Sequence, residues 1–486
     1  MLEMIHGSRE AMQKYRPPVT EKEIVSMKDA AWPSPFRPGL EYNSPAHGTW
    51  NIVHTGMLIP GSHQIYVCAA NCNRGVVLTA AEMGAADRFS TIAVKEDDIT
   101  NGQMEELVID GVSEILEKLK RKPTVVILFT VCIHHFMGCD IAYIYRTLRE
   151  RYPQQHFIEA YMDPIMQKGG ITPDQKLRKA MYDCLEKREQ RPEQINIIGN
   201  DLPLQPDCEM LSVLREHGCT VKDLTACDTF EEYRSMAESS VNIVTYPPAK
   251  MAGEALSERL GMRFLYLPQT FSYEEIDRQM EQLLAVLEEV NQGLSACRKV
   301  TGQADDGRTP EEQGKADEQE TIVPATAWDP TALRKKCDEE LERTCRLLHG
   351  MPVALDAAAV PRVLGLARLL LTHGFRVIRI YADSFSPEEE ADYHWLREHA
   401  PELTVCATIH ANMRVFPRGG EPVLAIGQKA AYFHQTEHFV NMVEGGGLYG
   451  YAGILGLCER IREAFLTRKD TKDLVIRKGL GCVSCI

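Results

Sequence analysis

The chain has 486 residues, too long for one ordinary domain and enough for roughly two to four units that each bury a core. A formal net charge of −15 excludes nucleic acid and an anionic membrane surface as main partners, because both demand clustered Lys and Arg. No apolar run, Thr124–Phe129 and Val363–Leu371 included, approaches the roughly 20 residues that span a bilayer, and the N-terminal MLEMIHGSREAMQKYR carries charges where a signal peptide is apolar, so a cytoplasmic location is expected.

In chain order, β-branched apolar runs alternate with amphipathic stretches, which predicts strands and helices around parallel sheets. Residues 1–50 read as an N-terminal extension. A first α/β unit, 51–190, takes strands at Gln64–Cys68, Phe89–Val94 and Thr124–Thr130 and a helix near Met104–Lys120. The second, 191–295, runs strand Ile195–Gly199, helix Cys208–His217, strand Val241–Thr245, helix Ala252–Leu260 and strand Arg263–Leu267. Segment 296–327 contains QADDGRTPEEQGKADEQE, acidic and without aromatics, and is expected to be a flexible linker, since it buries too little surface to offset its ordering entropy. The third unit, 328–470, takes helix Pro330–His349, strand Val353–Leu355, helix Arg362–His373, strand Arg376–Tyr381, helix Pro387–His399 and strands Leu403–Thr408 and Val423–Ile426, and 471–486 form a tail. Three Rossmann-like α/β units are the expected architecture.

Fifteen cysteines are many, and the odd count makes a complete disulfide framework a poor explanation. Cys184, Cys208, Cys219, Cys297, Cys337, Cys345 and Cys458 stand alone and read as buried hydrophobes. The others cluster. HQIYVCAANCNRG puts Cys68 at a strand end with Cys72 four residues on, and LFTVCIHHFMGCD repeats this logic with Cys132 and Cys139. Ligands of parallel sheets collect at the carboxyl ends of strands, and thiolates suit iron–sulfur clusters or zinc. The spacing alone leaves open metal ligation by some of the four, buried thiols, or a redox pair. His134 and His135 are candidates to position a loop or substrate and to donate protons. The terminal Cys482 and Cys485 read as part of a metal site, a thiol pair or a frayed tail.

VEGGGLYGYAGI, Val443–Ile454, opens a helix that continues to about Phe465. Its backbone N–H groups can hold an anion, which makes Gly446, Gly447 and Tyr449 candidate cofactor-binding residues; tight helix–strand packing is the alternative. No Walker A loop is present and no nicotinamide fingerprint is read, so the chain is expected neither to hydrolyse ATP nor to take electrons from NADH.

Taken together these segments resemble the nitrogenase component-1 family, which includes nitrogenase molybdenum–iron protein subunits, assembly scaffolds and nitrogenase-like tetrapyrrole reductases. The likeness runs from about His54 to Arg462. His63 with Cys68 resembles the H-x4-C cluster loop, Phe89–Gly102 the strand and acidic loop after it, and Cys132 with Gly138 and Asp140 the C-x5-G-D-D motif. Val241–Leu267, Ile426–Lys429 and Gly447–Arg460 are similar to the signatures of the second and third domains.

The resemblance implies three Rossmann-like domains with parallel sheets around a central cleft. It implies an oxidoreductase subunit holding an iron–sulfur cluster on Cys68 and Cys132, with Cys72 and Cys139 the further ligands, although Cys139 stands where the family has an acidic residue. FRPGLEYNSPAHGTW supplies no cysteine where nitrogenase has its first P-cluster thiolate, so a 4Fe-4S cluster is expected in place of an eight-iron one. Tyr246 and a position near Asn441 stand where nitrogenase holds its molybdenum cofactor, and no such cofactor is expected. His434 and His438 are further substrate-facing candidates. Implied partners are an ATP-hydrolysing iron-protein reductase, a second copy or sister subunit, and a small-molecule substrate, in an oxygen-sensitive, anaerobic setting. The rival readings are a non-catalytic assembly scaffold or metal or tetrapyrrole carrier of the same fold, and an α/β metabolite-binding protein with structural cysteines.

Overall fold

The structure, a computed structural model, describes residues 22–37, 42, 44, 46, 52–82, 84–162, 171–301, 328–417 and 420–470. The terminal Cys482 and Cys485 and nearly all of the acidic segment lie outside the described residues. Strand β1 (Ile24–Ser26) precedes a first sheet of β2 (Ser62–Cys68), β3 (Phe89–Ala93), β4 (Val125–Val131) and β5 (His156–Met162). A second sheet contains β6 (Arg191–Ile198), β7 (Thr220–Asp223), β8 (Ser239–Val244) and β9 (Arg263–Tyr266). The third contains β10 (Val353–Asp356), β11 (Val377–Tyr381), β12 (Thr404–Cys406), β13 (Leu424–Ile426) and β14 (Phe439–Val440), and β1 joins it.

Sheet orders are β3-β2-β4-β5, β7-β6-β8-β9 and β1-β12-β11-β10-β13-β14. Every pairing is parallel except β1 with β12. Helices cover both faces, so central strands are buried on both sides and read as continuous apolar runs. In β4, VVILFTV is buried throughout. Alternation sends Val125, Ile127, Phe129, Tyr66 and Cys68 to one face and Val126, Leu128, Ile65 and Val67 to the other. Tyr66 stacks on Phe129 with centroids 4.1 Å apart.

The first face continues into the helix Lys250–Leu260 and the rest of the second unit, so these units share one apolar core. Likewise Tyr449 and Ala452 of the third unit pack with Met210 and Leu214 of the second. In the second sheet the buried Asn196 donates to Asn242, which donates to Ser257 of that same helix.

Strands β5, β7 and β14 and β1 were not among the predicted elements. TVKD is short and polar, β14 has two residues, and β1 has three; none carries enough alternation to register as a strand. The helix Tyr273–Thr301 runs past residue 296, where the linker was expected to begin.

Gly253 lies in the helix Lys250–Leu260 where it crosses the second sheet, and a Cβ there would sit 2.3 Å from Val244 Cγ2 and 2.9 Å from the Phe264 ring. Gly→Ala in a helix interior ordinarily stabilises, by about 0.5–1 kcal/mol. Here the overpacking outweighs that gain, and Gly253→Ala is expected to cost about 1–3 kcal/mol, read as a lower midpoint of denaturant unfolding.

Candidate functional site

Cys68, fully buried, ends β2 on the Tyr66 face, and burial pushes its thiol up to about 12, with nearby Cys72 adding to the shift. Cys72 is exposed on the first turn of the helix Ala70–Glu82. Cys132, half-buried, opens the short helix Cys132–Phe136 directly after β4. Tyr66 pairs with Phe129, so the carboxyl ends of β2 and β4 finish nearly level on strands ~4.8 Å apart.

Cys139 goes elsewhere: it packs beside Glu105 against the apolar cluster on the opposite face of the first sheet. The expected four-cysteine set therefore divides, with Cys68, Cys72 and Cys132 at the strand ends and Cys139 apart from Cys68. Among the described residues, no group of three or more His, Cys, Asp and Glu is arranged to hold a metal ion within one chain.

His134 is buried and accepts from the Val131 N–H at 3.2 Å, while its Nε2 has no hydrogen-bond partner; burial holds its pKa below the usual value. His135 is exposed. His63 sits at the start of β2, the opposite end from Cys68, with Nε2 2.7 Å from Ser90 Oγ, and burial beside Arg88 lowers its pKa to about 4. Around the cysteine end, Phe136, Met137 and Tyr143 are 71%, 45% and 38% exposed, which is unusual for large apolar side chains so close together in sequence.

The glycine-rich stretch serves close packing. Gly445, Gly446 and Gly447 all have positive φ (76°, 59° and 73°). A Cβ on Gly447 would stand 2.3 Å from the Pro203 carbonyl oxygen, and one on Gly446 would stand 2.2 Å from an Arg460 guanidinium nitrogen. Gly445, Gly447 and Gly450 do repeat the G-x-G-x-x-G spacing of a dinucleotide loop, contrary to the expectation that no such fingerprint is present. That helix start is already taken, because Glu209 Oε1 accepts from the Ala452 N–H at 2.8 Å. The anion predicted there is the protein's own carboxylate. Tyr449 is buried, and its hydroxyl donates to Gln279 Oε1 at 2.9 Å. His434 packs edge-on against Tyr381 in the third unit's core, and His438 lies within 3.0 Å of the Ala464 carbonyl oxygen through Nδ1.

No local motif announced the most polar part of the interior. Arg178, 1% exposed, extends from the helix Pro173–Ala180 to Asp174 Oδ2 (2.9 Å), Asp201 Oδ1 and Oδ2 (3.0 and 2.6 Å) and the Gly199 carbonyl (2.7 Å). Its guanidinium lies 4.6 Å from the Tyr246 ring centroid. Thr55 of the helix Ile52–Met57 donates to Asp201 at 2.9 Å. From the third unit Glu444 hydrogen-bonds to Asp201. Two carboxyl groups can hydrogen-bond only if one keeps a proton.

Burial and the Asp201 charge push Glu444 well above the usual carboxylate range. Burial also works to raise Asp201, but Arg178 and the hydrogen bonds from Glu444 and Thr55 outweigh it and leave Asp201 low. Beside this pair is a polar recess of about 20 Å³, lined by Asn200, Thr245, Tyr246, Gln269, Gly447 and Tyr449 among others. Gly446 is not among its walls.

Three units with parallel sheets meeting at a polar interior, with thiols at strand ends of the first, define a multidomain α/β protein. The model of the nitrogenase component 1 type oxidoreductases matches residues 54–466, and the chain belongs to that family. The fold is similar to nitrogenase Cp1 at pH 6.5, with a TM-score of 0.57 over 88% of this chain and 94% of that one at 13% identity. It is also similar to nitrogenase Cp1 at pH 5, with a TM-score of 0.54 over 91% and 93% at 14% identity. No curated protein sequence gives a significant match. The family is one of oxidoreductases that bind metal–sulfur clusters and work with an ATP-dependent iron-protein reductase. No helix among the described residues is long and apolar enough to cross a membrane.

The carboxyl pair sets a pH dependence. Glu444 has a raised folded pKa, so its contribution is full below the ordinary carboxylate value of ~4.3 and is lost as pH rises toward the folded value. Asp201 is depressed, so its contribution is present above its unfolded pKa and is lost as pH falls through the folded one. Glu444→Gln is expected to flatten the fall in stability on the alkaline side while leaving the acid-side fall, as followed by denaturant midpoints across pH.

Proposed function

We propose that this chain is an electron-accepting oxidoreductase subunit that holds a 4Fe-4S cluster at the carboxyl ends of β2 and β4 and reduces a small molecule in the interdomain cleft. The observation that carries the reading is the level placement of Cys68 and Cys132 on adjacent strand ends. Soft thiolates there suit iron–sulfur chemistry. Among the described residues one chain does not gather a four-ligand set, and in this reading the cluster lies between two chains, with Cys68 and Cys132 from each in a symmetric dimer or from a sister subunit. Cys72 is placed to join them; Cys139, on the far face, is not, and serves the core. When bound, the cluster takes up and passes on single electrons. Around it the chain supplies strand ends that fix the thiols, an apolar face that excludes water, and His134 with a buried nitrogen pointing to no protein partner. Molybdenum cofactor chemistry has no place in this reading, since Tyr246 stands against Arg178 where the resemblance puts a cofactor thiolate.

Exposed Phe136, Met137 and Tyr143 beside the cysteine end suit protein contact there, with the second subunit and the ATP-hydrolysing reductase. A scaffold or carrier would keep the same cluster without turnover, and reoxidation of reduced protein by substrate separates the two.

Purified without oxygen, the dimer is expected to carry about four irons and the broad visible absorbance of a cluster. Cys68→Ala and Cys132→Ala should each remove both, whereas Cys139→Ala should keep them. Full iron content in either of the first two variants would sink the assignment.

Electrons are expected to arrive only through the reductase, because Glu209 occupies the one helix start with dinucleotide-like spacing and no Walker A sequence is present. Cluster reduction followed optically should be negligible with NADH alone and should appear when the cognate reductase and MgATP are added. Rapid reduction by NADH would overturn the two-component reading.

A further inference from the structure

Three carboxyl groups, Asp174, Asp201 and Glu444, face one guanidinium, Arg178, where the three units meet. A structural ion cluster normally pairs its charges, and this one holds two carboxyl groups in excess. Asp201 and Glu444 are bound to each other, which requires a proton between them. Their environments differ: Asp201 is clamped by Arg178 and Thr55, whereas Glu444 is offered by the third unit on a loop whose backbone N–H bonds to the Ala358 carbonyl at 2.9 Å. Tyr246 lies on Arg178, and Tyr182 accepts from the Gly199 N–H at 2.8 Å; Arg460 holds the Gly446 carbonyl at 2.9 Å. These are the ionisable groups facing the pair. Two carboxyls driven apart by their surroundings are the usual arrangement of an acid with its partner base.

A second observation points to a ligand. Asn200, 7% exposed, lines the recess beside the pair; its Oδ1 accepts from Thr245 at 2.8 Å, and its Nδ2 has no hydrogen-bond partner. A buried amide donor is costly when unpaired, by about 1–3 kcal/mol. The recess, about 20 Å³, admits a single water-sized group. The walls thus present one donor that needs an acceptor and, next to it, one acid with a proton to give.

We propose that Asp201 and Glu444 share one proton and, with the Asn200 amide, form an acid site that binds and protonates a single nitrogen- or oxygen-bearing end of the substrate in this recess. The proposal rests on the oxidoreductase reading and adds the acid that reading lacks. For each electron the reductase partner supplies, the Glu444 O–H bond breaks and an N–H or O–H bond forms on the substrate. Glu444 is left as a carboxylate beside Asp201, and a proton from water restores it.

The test uses the whole chain without reductase or ATP, so its outcome is independent of the electron path. Infrared spectra taken above the ordinary carboxylate range are expected to show a carboxylic-acid C=O band that shifts in D₂O and is missing from Glu444→Gln. Hydroxylamine is the probe: its oxygen accepts from Asn200, its nitrogen accepts a hydrogen bond from the Glu444 acid, and the band shifts to lower frequency. Asn200→Leu should raise the hydroxylamine concentration needed by roughly tenfold, the loss of one hydrogen bond. Should Glu444→Gln not fold, Asp201→Asn should move the same band by changing its acceptor. A spectrum with no such band, a band indifferent to both variants, or one untouched by hydroxylamine would each overturn the proposal, while iron content and reduction by the reductase would still stand or fall on their own.

Discussion

A single buried guanidinium ties this architecture together. Arg178 makes four hydrogen bonds, to Asp174, the Gly199 carbonyl and both oxygens of Asp201, and through Asp201 it reaches Thr55 of the first unit and Glu444 of the third. Desolvating such a charge costs several kcal/mol, and only a full complement of partners compensates it. Those partners come from segments that sequence keeps far apart. Beside the apolar cores that the units share, this one side chain and its partners tie the first, second and third units together, and the recess lies next to them on the Asn200 side.

Much of the fold was legible in the residues because parallel strands buried on both faces leave long apolar runs, and VVILFTV has no other reading. Of the four strands that escaped, β1, β7 and β14 are short or polar and depend on a neighbouring strand, whereas the seven-residue β5, HFIEAYM, mixes charged and apolar residues without a clear period. Site residues follow a similar division. Cys68 and Cys132 were read as strand-end residues, and β2 and β4 do end at them, because a strand end is visible in one dimension. Cys139 was grouped with them because spacing carries no information about which face of a sheet a residue falls on after a turn, and the chain puts it over the Val126–Leu128 side. The glycines looked like an anion cradle and proved to be a seam, with Glu209 from the second unit already in the cradle. Arg178, Asp201 and Glu444 left no local trace at all. Asp174 and Arg178 are an ordinary i,i+4 helix pair in one dimension, and only the crossing of three units makes them the centre of the interior.

These two regions have opposite physical characters. At the cysteine end, thiols and exposed aromatic and methionine side chains make a soft, apolar surface suited to contact with other chains. Inside, carboxyl groups, amides and tyrosines enclose a space that excludes all but a small polar group. On the proposed reading the electron carrier takes the first environment and the proton the second, which keeps the two apart within one chain.

The pairing of β1 with β12 reaches from Ile24 to Cys406. During synthesis the ribosome releases the first of these long before the second, so the opening strand spends most of translation without its partner. The first and second sheets, built from neighbouring segments, can mature in that interval, whereas the third stays open at one edge until β12 emerges and the waiting β1 closes it. Completion of that edge thus reports that synthesis has passed Cys406, and a product ending before β12 would leave β1 without its partner, an unpaired strand of the kind that chaperones and proteases recognise.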